Sequence, residues 1–148
     1  MVPETENMST LGFTGLRNEI VILIVEDNRD HYTLTKNCLR QANINNKIEW
    51  LQNGQVAIDY LTGKSNPRKT GTKYIMLLDI HMPKVDGIEV LSTMKQDESL
   101  SDISVIMLTT SEDQQIARKC YELGCDAHII KPPGEVLLKA ISRIGQRI

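Results

Sequence analysis

The chain has no apolar run near the length of a membrane span, roughly 18 residues or more. A membrane-crossing helix is therefore not expected. Its N-terminus carries neither a basic n-region nor an apolar h-region. No secretion signal is read there, and the cytoplasm is the expected location. Cysteine is sparse: Cys38, Cys120 and Cys125 are an odd set with no metal-type spacing. Free thiols in a reducing compartment are expected, not a zinc site or a disulfide framework. The net charge is only -2. That leaves no basic surplus for nucleic acid or anionic membrane, so neither is an expected partner. Repeats and low-complexity segments are also missing. What is present is ordinary for a globular domain, with 41% hydrophobic and 24% charged residues. A chain of 148 residues has the length of one domain.

Residues 1–17 are polar, carry Pro3, Gly12 and Gly15, and show no apolar period. They are expected to be a flexible tail, with a single domain over 18–148. Ile20 to Val25 is a short, β-branched aliphatic run and reads as a strand buried on both faces. Asp27 or Asn28 can cap the next helix. Tyr32, Leu34, Thr35, Cys38, Leu39 and Ala42 form its expected inner stripe. Lys47 to Leu51 alternates like an edge strand, and Gly54 opens a short helix ending near Leu61. Residues 62–73 hold two glycines, a proline and four cationic residues, and read as an exposed loop suited to binding.

Tyr74 to Leu78 is the expected central strand, followed by a helix after Gly87. Ile103 to Leu108 is the next strand. Glu112 to Leu123 reads as a helix closed by Gly124. Ala127 to Ile130 is the last strand. Val136, Leu137, Ala140, Ile141, Ile144 and Ile148 stripe a final helix more broadly than a sheet is expected to cover. Five strands alternating with five helices predict an α/β, doubly wound parallel sheet with helices on both faces. The expected strand order is the flavodoxin-like 2-1-3-4-5.

The ends of the strands carry the chemistry. Glu26 and Asp27 follow the first strand, Asp79 ends the third, Thr109 the fourth, and Lys131 follows the fifth. Open α/β sheets place their ligand crevice there. Three carboxylates repel one another without a dication, and magnesium prefers oxygen ligands. A carboxylate such as Asp79 can form an acyl phosphate. A lysine and a hydroxyl, here Lys131 and Thr109, then stabilise the phosphoryl oxygens.

These residues resemble the response-regulator receiver domain, from about Glu19 to Ile144. The resemblance rests on Val25-Glu26-Asp27-Asn28, the turn from Leu78 to Gly87, Leu108-Thr109-Thr110-Ser111, and Lys131-Pro132. The intervals from Asp79 to Thr109 and to Lys131 match the family as well. It implies that Asp79 is the phosphoacceptor in a two-component phosphorelay, fed by a sensor histidine kinase. It implies Mg2+ held by Asp27, Asp79 and the His81 backbone carbonyl, with Glu26 acting mostly through water. Lys131 is implied to contact the phosphoryl group, and Lys131-Pro132 to be a cis peptide. Thr109 and His128 are implied to form the switch, although His128 stands where the family usually has Tyr or Phe. The implied activity is signalling, not enzymatic turnover: such a domain assists only its own phosphorylation and dephosphorylation. His81 and Thr110, beside the reactive bond, are expected to tune the phosphate lifetime.

No DNA-binding segment follows, so a stand-alone regulator acting by contact is expected. Lys47-Ile48-Glu49-Trp50, the stretch Asn53 to Leu61, the basic loop and Pro132-Pro133 look like the small regulators that accompany bacterial phytochromes. That likeness implies a light-regulated kinase as phosphodonor. It also implies a homodimer through the last two helices and the last strand. A dehalogenase-type phosphatase would need a second acid at position 81, where His81 stands. A flavin carrier would need a Gly- and hydroxyl-rich loop where Glu26 and Asp27 repel phosphate. A pseudo-receiver, a pure interaction module on the same fold, is the remaining alternative. The full set of site residues speaks against it.

Overall fold

Aliphatic runs buried on both sides form the three inner strands of a parallel sheet, and two shorter, part-exposed runs form its edges. In the computed structural model, which describes residues 16–63 and 71–148, these are β1 (Val21–Val25), β2 (Ile48–Leu51), β3 (Tyr74–Asp79), β4 (Ser104–Thr109) and β5 (Ala127–Ile130). They form one sheet in the order β2-β1-β3-β4-β5, as expected. The helices among the described residues are α1 (Arg29–Gln41), α2 (Gly54–Leu61), α3 (Gly87–Lys95), α4 (Gln114–Glu122) and α5 (Glu135–Arg147). A 3-10 turn spans Glu98–Leu100.

Alternation along the strands divides the interior in two. Leu23, Val25, Met76, Leu78, Val105 and Met107 pack against residues of α2, α3 and α4. Ile22, Ile24, Ile75, Leu77, Ile106 and Leu108 pack against α1 and α5. β1 pairs with β3 from Val21 opposite Tyr74 to Val25 opposite Leu78. This register brings the residues just after β1 level with Asp79. The chain turns to opposite sides from β1 and β3, so the crevice opens at their carboxyl ends.

The caps follow short polar side chains. Asn28 caps α1 by accepting from the His31 N–H, and Asp86 and Glu89 form a capping box on α3. Gly124 takes φ +93° after α4, as a C′ glycine should. α4 starts at Gln114, two residues later than expected, because Asp113 caps it.

Two further expectations change. Leu34 is 54% exposed and not part of the inner stripe of α1; Thr35 and Leu39 hold that face. The apolar stripe of α5 is largely core: Leu137, Ala140, Ile141 and Ile144 are buried, Ile148 packs against them, and only Val136 stands out, 66% exposed. The sheet covers more of this helix than its width suggested. Of the expected tail, residues 1–15 lie outside the described residues. Leu16 packs against Gly145, and the Arg17 guanidinium donates to the carbonyl of Ile148. Residues 64–70 of the expected loop also lie outside the described residues. No helix among the described residues is long and apolar enough to cross a membrane.

Candidate functional site

The end of β1 and the end of β3 bring three carboxylates together. Glu26, Asp27 and Asp79 each offer an oxygen, and these lie within 4.8 Å of one another. Glu26 and Asp79 are buried while Asp27 is exposed at the rim. Acid groups so placed suit a hard dication that keeps several of its waters. Their chemistry fits magnesium or manganese.

Lys131 arrives from the end of β5. Its Nζ donates to Glu26 Oε1 at 2.5 Å and to Asp79 Oδ1 at 3.2 Å, with its side chain only 6% exposed. The Lys131 N–H also donates to the Thr109 carbonyl at 2.7 Å, tying it to the end of β4. The Lys131-Pro132 bond is cis, as the resemblance implied. Burial pushes the Glu26 carboxyl above the usual range, the Lys131 hydrogen bond pulls it back, and the Asp79 charge pushes it up again.

The turn after Asp79 is held by close backbone approach. The Gly87 N–H donates to the Ile80 carbonyl at 2.9 Å. A Cβ on Gly87 would sit 2.2 Å from the Asp79 carbonyl oxygen. Met82 is buried under the turn, and Lys84 takes φ +68°. His81 and Thr110 are exposed, and they line the same depression of about 190 Å³ as the acids and Lys131. Thr109 is fully buried, and its Oγ1 accepts from the Ser111 N–H at 3.0 Å.

His128, the other expected switch residue, is half-buried on β5. Among the described residues its Nε2 has no hydrogen-bond partner, while its backbone N–H donates to the Tyr121 hydroxyl at 3.2 Å. Burial holds its imidazole below the usual 6.5, and a hydrogen bond to its own backbone opposes this in part. Unfolded, the ring takes a proton near its ordinary pKa; folded, it resists until lower pH. The unfolded state therefore binds more protons as pH falls, and stability drops through and below about 6.5. In His128→Phe that loss disappears. Urea unfolding across pH 5–8 checks this, and because Glu26 is common to both proteins the difference isolates His128. Parallel profiles for the two proteins would contradict it.

Two residues of the site were not anticipated. His31 Nδ1 lies 3.0 Å from Lys131 Nζ. Its position four residues after Asp27, one helical turn on, is the sequence signal that marks it. The second is Trp50 on β2, whose Nε1 donates to the Glu26 carbonyl at 2.7 Å. Tyr32 stacks on Trp50 at 4.1 Å, nearly parallel, and Arg29 lies 5.8 Å over the same ring. Nothing in the local sequence pairs an edge-strand tryptophan with the first turn of a helix. The cysteines are free; burial raises all three thiols, Cys125 to about 12, which makes them poor nucleophiles.

Residues 22–142 match the response regulator receiver domain family, and the chain belongs to it. It is 40% identical over 117 residues to FilR2 of Methanothrix harundinacea (strain 6Ac), a probable methanogenesis regulatory protein. That match spans 76% of this chain and 72% of FilR2. The bacteriophytochrome response regulator AtBRR has the same fold, with a TM-score of 0.72 at 37% identity, over 84% of this chain and 91% of AtBRR. Rcp1 of Synechocystis sp. is 32% identical over 111 residues, 75% of this chain and 76% of Rcp1. The Mn2+-bound form of Rcp1 gives a TM-score of 0.68, over 84% of this chain and 90% of that one.

Proposed function

We propose that Asp79 accepts a phosphoryl group from the phosphohistidine of a sensor kinase, and that the chain then signals by protein contact. One observation carries the reading: Asp79 Oδ1 lies 3.2 Å from the Lys131 ammonium inside a cluster of three carboxylates. An Asp79 oxygen attacks phosphorus in line, the bond from phosphorus to the histidine nitrogen breaks, and the imidazole leaves. Asp27, Asp79 and the His81 backbone carbonyl would hold Mg2+, with Glu26 acting mostly through water, and the ion would supply charge neutralisation for the phosphoryl oxygens. Lys131 leaves its carboxylate partners for a phosphoryl oxygen. The Thr109 hydroxyl, now an acceptor, keeps its own proton to donate to another. Its inward movement frees space beside β5 for His128 to turn in, a packing change of the kind that a local charge event biases. The manganese-bound form of Rcp1 supports a dication site in the shared fold.

The name of AtBRR supports a phytochrome-type light sensor as the kinase. Exposed Tyr121, Ile130 and Val136 lie on α4, β5 and α5 in turn. Leu34 and Val56 are exposed elsewhere, but the three on these adjoining elements support a homodimer through them.

The test is acetyl phosphate with and without Mg2+, read by intact mass and size-exclusion chromatography. The expected result is one magnesium-dependent phosphoryl group, absent in Asp79→Asn, on a protein that elutes as a dimer. Phosphate uptake that persists in Asp79→Asn, or none at all by a folded protein in magnesium, sinks the reading. Transfer from a purified bacteriophytochrome kinase, run alongside, checks the partner.

A further inference from the structure

α1 starts two residues after Asp27, and its first turn carries His31 back over the acid pair. The Nδ1 atom is 3.0 Å from Lys131 Nζ and 4.0 Å from Glu26 Oε1. An ammonium has only donors, so Nδ1 accepts and the ring hydrogen sits on Nε2. Lys131 thus has three acceptors from three separate elements: Glu26 Oε1 after β1, Asp79 Oδ1 on β3, and His31 Nδ1 on α1.

These acceptors differ in what the proposed reaction asks of them. Glu26 and Asp79 belong to the acid cluster, and Asp79 is also the nucleophile. Both have to release the ammonium when a dication and a phosphoryl group arrive. His31 carries no acid and joins no bond that forms or breaks. It is the one contact of the three that nothing in the proposed reaction displaces. A lysine has four rotatable side-chain bonds, and without a fixed contact its ammonium disperses at the mouth of the site. His31, Thr110 and Lys131 also line a second hollow of about 170 Å³ beside the acids, so the imidazole, its side chain 37% exposed, stands at the boundary of the site.

We propose that His31 is a positioning residue for Lys131, tethering the ammonium where the phosphoryl oxygens will be. This rests on the reading of Asp79 as acceptor. His31 touches neither the phosphoryl group nor Asp79; it acts through Lys131.

The test uses the full chain with His31→Ala and His31→Asn, the latter because the asparagine Oδ1 takes nearly the place of Nδ1 as an acceptor. At saturating Mg2+ the initial rate of phosphate uptake from acetyl phosphate falls about tenfold in His31→Ala and recovers largely in His31→Asn. Calorimetric titration finds Mg2+ affinity unchanged in both. A wild-type rate in His31→Ala overturns the proposal. So does failure of His31→Asn to recover, or a loss of Mg2+ affinity that parallels the loss of rate. A second measurement does not need phosphorylation: the nitrogen-15 NMR shift of His31 Nδ1 in the metal-free chain moves in Lys131→Met. If the wild type takes no phosphate, the Asp79 reading falls. The Nδ1 shift then decides the tether alone, and an unmoved shift overturns it.

Discussion

Gly87→Ala lowers the unfolding free energy by about 2–4 kcal/mol and takes phosphate uptake with it, although no charged group is altered. The position needs glycine for closeness. A methyl group there meets the Asp79 carbonyl oxygen at 2.2 Å and the Ile80 Cα at 2.8 Å, both backbone atoms. Neither can swing aside as a side chain tip would. Relief requires the end of β3 and the start of α3 to separate, and that breaks the hydrogen bond from the Gly87 N–H to the Ile80 carbonyl. Asp79 then moves relative to Glu26, Asp27 and Lys131. Positioning errors of about 1 Å cost on the order of a hundredfold in rate. Urea unfolding and the acetyl phosphate assay check the two halves together. A Gly87→Ala protein with wild-type stability and uptake would show that the turn yields more easily than its packing allows.

Lys131→Met separates the two jobs of the lysine, and its stability cost shrinks with magnesium while its rate cost does not. In the metal-free chain the ammonium bridges Glu26 and Asp79, and all three side chains are at most 6% exposed. Methionine keeps the bulk and removes the charge, leaving buried carboxylates without their cation. The expected loss is about 1–3 kcal/mol, tempered because Glu26 already holds its proton more readily than a free carboxylate. Magnesium then stabilises Lys131→Met more than the wild type, because in the variant the dication stands in for the lost ammonium. Phosphate uptake does not recover with it. The lysine is the preorganised donor for the developing phosphoryl charge, and removing such a donor costs about a hundredfold or more. Thermal unfolding with and without Mg2+, set beside the uptake rate, tests this pattern. A variant whose stability and uptake both return in magnesium would assign the lysine to structure alone.

The sequence by itself determined the strand order and which strand ends carry Glu26, Asp27, Asp79, Thr109 and Lys131. Short aliphatic runs ending in Glu26-Asp27, Asp79 and Thr109, with Lys131 just past the last, leave little choice of sheet. The chemistry of each residue is carried in its own side chain, and its place at a strand end follows from local hydrophobic pattern. What the sequence mispredicted was surface. Leu34 looked like an inner residue of α1, and α5 looked wider than its cover. Periodicity counts apolar residues but cannot measure the neighbour that receives them. Only the tertiary structure decided the contacts between elements distant in the chain. It set Trp50 under the Glu26 carbonyl, stacked Tyr32 on that ring, left the His128 Nε2 enclosed without a partner, and brought His31 to Lys131 across a hundred residues of sequence. The physical reason is directional. Hydrogen bonds and ring stacking act over a few ångströms and at set angles. They depend on how helices settle on the sheet, and a one-dimensional pattern does not contain that.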